Sequence, residues 1–266
     1  MEYARLIPKE IRELLPIARF LSPEEQTRYE EAIQEFTGKA KETLDIPQKA
    51  SNLFKILFLN QIGIQTSTLP ELESALENGL GLSGTYEDSR EVILRSAGDS
   101  YTPNDYLAKS LADKLKLRNF KNPFIIKGLT IQPDEDSQYG LILQPTDNTE
   151  VIEVPDFHHK NNQKRFSRIN SDYSIEFDEE AERTFYTRNQ GLSRLCLDRY
   201  LDLVSNGEYL SGSDSDGRVV VVSAEGTEGA NSTLQQHLAK LNQQADAQKQ
   251  EIDKRFAQAQ EVLRGQ

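Results

Sequence analysis

Apolar residues recur every three to four positions in the first third of the chain, which is the spacing of amphipathic helices. The segment Ser22-Pro23-Glu24-Glu25 combines a capping serine, a proline in the first turn and a glutamate that can close a capping box. We therefore predict a helix that begins after Ser22 and carries apolar side chains as far as Ala40. An earlier helical segment is predicted over 8–21, with Pro16 kinking or breaking it.

Two more helices are predicted in this region. The apolar run 47–62 lacks strict alternation, which favours a buried helix, with a strand as the second interpretation. A shorter helix is predicted over 69–78, where Gly79 follows as a terminating glycine.

The pattern changes to alternation after residue 90, which indicates strands that follow one another and pair mainly antiparallel. One helix interrupts them, over 102–117. Ser213–Gly217 is predicted to be a hairpin turn, because Asp-Gly suits positive φ angles, and Val219–Val222 is expected to be covered on both faces. The predicted strands are 91–96, 123–131, 138–144, 149–154, 173–178, 184–188, 194–204 and 218–223.

These elements predict an α+β fold with an N-terminal helical layer, a mainly antiparallel β-rich second part and a C-terminal amphipathic helix on a linker. The expected organisation is a helical region (1–85), a β-rich α+β region (86–223), a linker (224–231) and a C-terminal helix (232–264). The linker is expected to be flexible because it is rich in glycine and has no apolar anchor.

The C-terminal helix carries an apolar stripe that we expect to mediate assembly; packing on the body of the same chain is the second interpretation, and a free helix or a disordered segment is the third. Its spacing averages about 3.6 residues, the period of a straight helix, so a short helical bundle is favoured over a long supercoiled coiled coil. Residues 231–266 hold five Lys or Arg and four Asp or Glu, so little charge opposes self-association. The expected assembly residues are Leu234, Leu238, Leu241, Ile252, Phe256 and Leu263.

Composition narrows the classes of function. Hydrophobic residues make up 36% of the chain, enough for a core, and the formal net charge is −12. Such a charge disfavours binding to nucleic acid and to anionic membrane surfaces. The single cysteine, Cys196, rules out an intramolecular disulfide. With no signal-like N-terminus and no long apolar run, a cytoplasmic protein without membrane contact is expected.

The motifs that resemble known sites have simpler explanations. The run Gly79–Gly84 fits G-x-G-x-x-G, but it follows a predicted helix and precedes a strand, the reverse of a dinucleotide-binding loop. The acidic turn at 212–223 offers too few ligands for calcium, because Ser223 stands where a bidentate glutamate is needed. No cofactor or metal is therefore predicted.

His158 and His159 are adjacent, so in an extended chain they would point to opposite faces and poorly share a metal ion. They could supply a base for Cys196, but that cysteine lies within an alternating strand rather than at a helix N-terminus. The sequence identifies no catalytic residues.

The basic segment, defined as 157–171, holds four cations and no acid. We predict a surface loop that either binds anions or single-stranded nucleic acid, or pairs with the acids at 176–182. Its candidate binding residues are Lys160, Lys164, Arg165 and Arg168.

The first functional hypothesis is a non-enzymatic interaction or structural protein that assembles with itself or with another helical protein through its C-terminal helix. The second is an enzyme or small-ligand-binding protein with a site made of Arg, Tyr and Asp residues in the β-rich region. The third is a weak nucleic-acid-binding accessory protein that uses the basic segment. Candidates for the second are Arg165, Arg168, Arg183, Tyr186 and Arg194.

Overall fold

An α+β fold is formed by the residues that the computed structural model describes, which are 17–98, 102–118, 121–158, 163–213 and 215–223. The expected fold class is confirmed for this part of the chain. The predicted linker (224–231) and the predicted C-terminal helix (232–264) lie outside the described residues, as do residues 1–16.

Five helices lie in the described part of the chain, four of them before the first long strand. Two begin with complete capping boxes, as at Ser22, whose hydroxyl accepts from the Glu25 amide at 3.2 Å while the Glu25 carboxylate accepts from the Ser22 amide at 2.9 Å. Such reciprocal capping satisfies two backbone amides that a helix start leaves unpaired. The helices are α1 (Pro23–Ala32), α2 (Gly38–Leu44), α3 (Leu53–Gln61), α4 (Leu69–Glu77) and α5 (Thr102–Lys114).

The prediction of one helix from Ser22 through Ala40 is wrong. Helix α1 ends at Ala32, a 3₁₀ turn follows at Ile33–Glu35, and Phe36 is extended before α2 begins. The ring of Phe36 packs edge-on against Phe58 of α3 at 5.1 Å between centroids, so packing between helices replaces continuation of the helix.

The predicted helix over 8–21 is also wrong at its described end, because Ile17–Phe20 is strand β1. β1 pairs with β11 (Val220–Ser223) in a separate two-stranded sheet.

A nine-stranded sheet forms the centre of the fold, and its pairing is mainly antiparallel. Its order is β4-β3-β2-β8-β9-β7-β5-β6, with the short β10 pairing parallel to one end of β2. The strands are β2 (Tyr86–Leu94), β3 (Phe124–Pro133), β4 (Leu141–Glu153), β5 (Gln163–Ile169), β6 (Ile175–Phe177), β7 (Arg183–Tyr186), β8 (Leu192–Leu197), β9 (Leu203–Gly207) and β10 (Gly217–Arg218).

Three predictions in the β-rich region need correction. The strands expected at 138–144 and 149–154 form the single strand β4. The strand expected over 194–204 is divided by a tight turn, where the Asp198 carboxylate accepts from the Tyr200 and Asp202 amides at 2.8 and 3.1 Å. The strands before and after the turn expected at 213–217 do not form a hairpin in the described residues: β9 pairs with β7 and β8, and β10 pairs with β2.

Two hydrophobic cores flank the sheet. On β2, Val92 and Leu94 enter the core formed with α1–α3 and α5, whereas Ile93 enters the core formed with α4 and strands β5 to β9. Val219–Val222 is buried as expected, with Val221 in the first core and Val220 in the second. In the described part of the chain, no helix has the length and apolar content needed to cross a membrane.

Candidate functional site

A groove opens where two neighbouring strands of the central sheet separate. β2 and β3 pair only over residues 92–94 and 124–126. Beyond that point, the Tyr86 end of β2 pairs with β10, while β3 continues with β4 as its partner. The gap between them, closed on one side by α3, has a volume of about 380 Å³.

Four elements line this groove, and most of the lining residues have polar side chains. Helix α3 supplies Leu57, Asn60 and Gln61, and β2 supplies Arg90. Strand β3 contributes Lys127, Gly128, Leu129 and Thr130, and β4 contributes Thr146, Asn148 and Glu150. The volume falls within the range of about 300–1,000 Å³ that is usual for small-ligand pockets.

A glycine bulge shapes the floor. The register between β3 and β4 shifts after Lys127, so that Leu129 and Ile131 return to the helix-side core. Gly128 has φ +74°, and a Cβ there would lie 2.4 Å from the Asn148 carbonyl oxygen. The hydroxyls of Thr146 and Thr149 each donate to the Gly128 carbonyl at 2.8 Å. Only glycine lets the β4 bulge approach this closely.

Two side-chain amides of α3 are committed to the backbone. The Gln61 side-chain oxygen accepts from the Ile131 amide at 3.2 Å, which satisfies an amide on the edge where β3 has left β2. The Asn60 side chain accepts from the Thr66 amide at 3.0 Å and donates to the Ile56 carbonyl at 2.8 Å. Both residues therefore fix the wall of the groove.

A bulge in β2 places Arg90 at the groove. Between the pairs Asp88–Cys196 and Val92–Arg194, three residues of β2 (89–91) lie opposite one residue of β8, Leu195. The Arg90 amide then donates to the Ser67 carbonyl at 3.0 Å, outside the main ladder. The Arg90 guanidinium lies 3.4 Å from the Glu71 carboxylate.

Lys127 lines the same groove from strand β3. Its ammonium group lies 3.0 Å from the Glu150 carboxylate of β4. The Glu150 side chain is 62% exposed, so water competes strongly for this ion pair. The groove therefore presents two cations with weakly held partners.

Strand β2 also carries buried carboxylates beside the bulge. Asp88 accepts from the Ser51 hydroxyl at 2.7 Å, the Tyr86 hydroxyl at 3.0 Å and the Arg194 guanidinium at 3.2 Å. Burial raises the pKa of Asp88, and Arg194 and the hydroxyl donors oppose that effect. These contacts make Asp88 part of an internal network that ties β2 to β8 and to the start of α3.

Two other buried glutamates of β2, Glu91 and Glu87, differ in the hydrogen bonding of their carboxylates. Glu91 accepts from the Tyr173 hydroxyl at 2.7 Å and from the Leu69 amide at 3.0 Å, and burial raises its pKa. Glu87 accepts from the Thr85 hydroxyl through one oxygen, but its other oxygen has no hydrogen-bond partner in the described structure. Burial raises the pKa of Glu87 to about 8.

The arginines proposed from sequence for one common site belong to separate contacts. Arg183 forms a two-point ion pair with Glu73 at 2.7 and 2.9 Å, whereas Arg194 pairs with Asp88. Tyr186 lies on β7 beside Gln163 of β5. None of the five candidates lines the groove.

The basic segment is a strand over much of its length, which corrects the predicted loop. Arg168 pairs with Glu77 at 2.9 Å, Arg165 donates to the Glu182 carbonyl, and the Lys164 ammonium lies 4.4 Å from the centre of the Phe177 ring. The described cations of β5 are thus used in contacts within the chain, and those with segment 176–182 go to the Glu182 carbonyl and the Phe177 ring rather than to carboxylates. Lys160 lies outside the described residues.

The remaining motifs keep the simpler explanation where they are described. Gly79–Gly84 connects α4 to β2. Cys196 is buried within β8, and burial raises the pKa of its thiol to about 12. No group of three His, Cys, Asp or Glu side chains suited to a metal occurs among the described residues. His159 and the six predicted assembly residues lie outside them.

Sequence reasoning missed Arg90, Lys127 and Gly128. A weak signal existed in Lys127-Gly128, since glycine inside a predicted strand commonly marks a bulge. The signal could not show that this bulge faces a gap in the sheet, because the gap depends on the distant pairing of β10 with β2.

Comparison with known proteins does not assign the chain to a family. No protein-family model matches the chain. Searches of curated proteins and of solved structures likewise give no significant match.

Proposed function

We propose that this chain is a ligand-binding protein that holds a small molecule in the groove between α3 and the separated strands β2 and β3. The observation that carries the proposal is the combination of a volume of about 380 Å³ with two cations that hold only weak partners. The fixed amides of Asn60 and Gln61 support it, because a rigid wall lowers the cost of ordering a ligand.

A blocking variant tests this proposal. Asn148 is an exposed residue of the lining, so Asn148→Trp adds an indole to the groove without disturbing a core. Its neighbour Asp147 is also exposed but does not line the groove, so Asp147→Trp is the matched control. A library of small organic acids and neutral fragments would be screened against the full chain by ligand-observed NMR.

We expect compounds that bind the unmodified chain and Asp147→Trp but not Asn148→Trp. The proposal fails if no compound binds, or if every compound that binds also binds Asn148→Trp with equal affinity.

We also propose that the chain assembles through its C-terminal segment, as the apolar stripe of that segment suggests. The stripe places six large apolar side chains on one face, and each contributes roughly 1.5–3 kcal/mol when fully buried. A second copy or another helical protein would bury them. The segment lies outside the described residues, so this proposal depends on sequence periodicity and on the near-neutral charge of the segment.

A further inference from the structure

We infer that the ligand of the groove carries an oxyanion group, a carboxylate or a phosphate, that is held between Arg90 and Lys127. The inference depends on the proposed binding function and names its ligand class. In the bound state the anion replaces Glu150 on Lys127 and takes up the guanidinium donors of Arg90 that Glu71 does not use. The geometry of each cation supports this exchange.

Arg90 has donors to spare because its present partner is already engaged. The nearest Glu71 oxygen accepts from the Thr68 amide at 2.7 Å and from the Thr68 hydroxyl at 2.9 Å. Arg90 reaches that same oxygen only at 3.4 Å. A guanidinium has five N–H donors and prefers two parallel bonds to a carboxylate or phosphate, so a single long contact leaves most of its capacity unused.

Lys127 is held by a partner that can leave at little cost. Its side chain is 27% exposed, whereas that of Glu150 is 62% exposed. An ion pair between such groups contributes about 0–1 kcal/mol, because both ions regain water when they separate. An anion that also contacts Arg90 gains from two cations, so it competes well with Glu150 for Lys127.

The negative net charge of the chain does not prevent an anion from binding in the groove. Although the total is −12, charges farther than about 8 Å are largely screened at physiological ionic strength. The potential that a bound group meets is therefore set by the residues of the groove. Leu57 and Leu129 are nearly fully buried at its base, so an apolar part of the ligand can rest near them.

Calorimetric titration of the full chain with citrate and with inorganic pyrophosphate tests the inference, with sodium chloride adjusted to hold ionic strength constant. We expect at least one of the two anions to bind. Arg90→Gln and Lys127→Gln should each weaken binding about ten- to a hundredfold, the usual effect of losing a charge-assisted hydrogen bond. Glu150→Gln removes the competing carboxylate and should strengthen binding severalfold.

Arg168→Gln is the matched control, because it removes an exposed arginine that pairs with Glu77 outside the groove. Its titration should match that of the unmodified chain. The strengthening by Glu150→Gln separates a binding role from a structural one, since loss of a structural contact would weaken binding or leave it unchanged.

Three results would overturn the inference: neither anion binds, Arg168→Gln weakens binding as much as Arg90→Gln, or Glu150→Gln weakens it. If a neutral fragment still binds and is blocked by Asn148→Trp, the proposed function survives while the oxyanion assignment fails. If no compound of either kind binds, both fail together.

Discussion

Replacement of Gly128 by alanine should lower the free energy of unfolding by about 2–3 kcal/mol. The φ angle of +74° is unfavourable for an L-residue with a side chain and costs about 1 kcal/mol. The added Cβ would lie 2.4 Å from the Asn148 carbonyl oxygen, so the β4 bulge must move away. That movement breaks the two hydroxyl contacts to the Gly128 carbonyl, each contributing about 0.5–1 kcal/mol.

Gly84→Ala provides the control for the backbone part of this cost. Gly84 has φ +85°, but a Cβ there would meet nothing within 4 Å. This variant should therefore lose only about 1 kcal/mol. The difference between the two variants, about 1–2 kcal/mol, measures the close approach of β4 to β3.

Urea unfolding followed by tyrosine fluorescence measures both variants, since the chain has ten tyrosines and no tryptophan. The slopes against urea should agree, so that a shift in midpoint reports stability. Equal destabilisation of the two variants would refute the reasoning, because it would mean that β4 does not crowd Gly128. Gly128→Ala should also weaken ligand binding in the groove, whereas Gly84→Ala should not.

Three further predictions concern the core, the response to pH and assembly. Arg183→Met should lower the free energy of unfolding in urea by about 3–5 kcal/mol, because it leaves the buried Glu73 carboxylate without its ion-pair partner. The double variant Arg183→Met, Glu73→Leu should recover part of this loss. Burial raises the pKa of Glu87 from 4.5 to about 8, so the folded state retains a proton that the unfolded state releases, and the free energy of unfolding should fall as pH rises from about 4.5 to 8. Glu87→Gln should flatten this pH dependence. An unchanged slope in that variant would contradict the assignment to Glu87. The pair Leu241→Asp and Ile252→Asp should convert a concentration-dependent oligomer to a monomer in sedimentation, and a full-length chain that is monomeric at high concentration would contradict assembly through this segment.

Local signals in the sequence predicted the elements whose ends are set locally. The capping box at Ser22 predicted the start of α1, because the hydrogen bonds that define it join residues three positions apart. Val219–Val222 was correctly expected to be buried on both faces, since a continuous β-branched run has no polar face for solvent.

Distant pairing explains the errors. The alternation over 194–204 continues through a turn in which Leu201 adopts φ +65°, and no local composition marks that break strongly. Gly217 was assigned to a hairpin because Asp-Gly is a turn signal, but the chain there pairs with Tyr86, far away in sequence. A propensity that acts over a few residues does not report such a partner.

The groove depends on the same distant pairing, which is why its residues could not be identified from the sequence. In a regular strand Asp88, Arg90 and Val92 would share one face. Sequence alone would then predict that Arg90 is the ion-pair partner of Asp88. The bulge opposite β8 breaks that alternation. Asp88 forms an ion pair with Arg194 of the neighbouring strand, and Arg90 lines the groove. The position of Arg90 at the groove is therefore a consequence of one irregularity in β2. A variant that removed the bulge would move Arg90 relative to the groove, so the proposed binding site is expected to change with it.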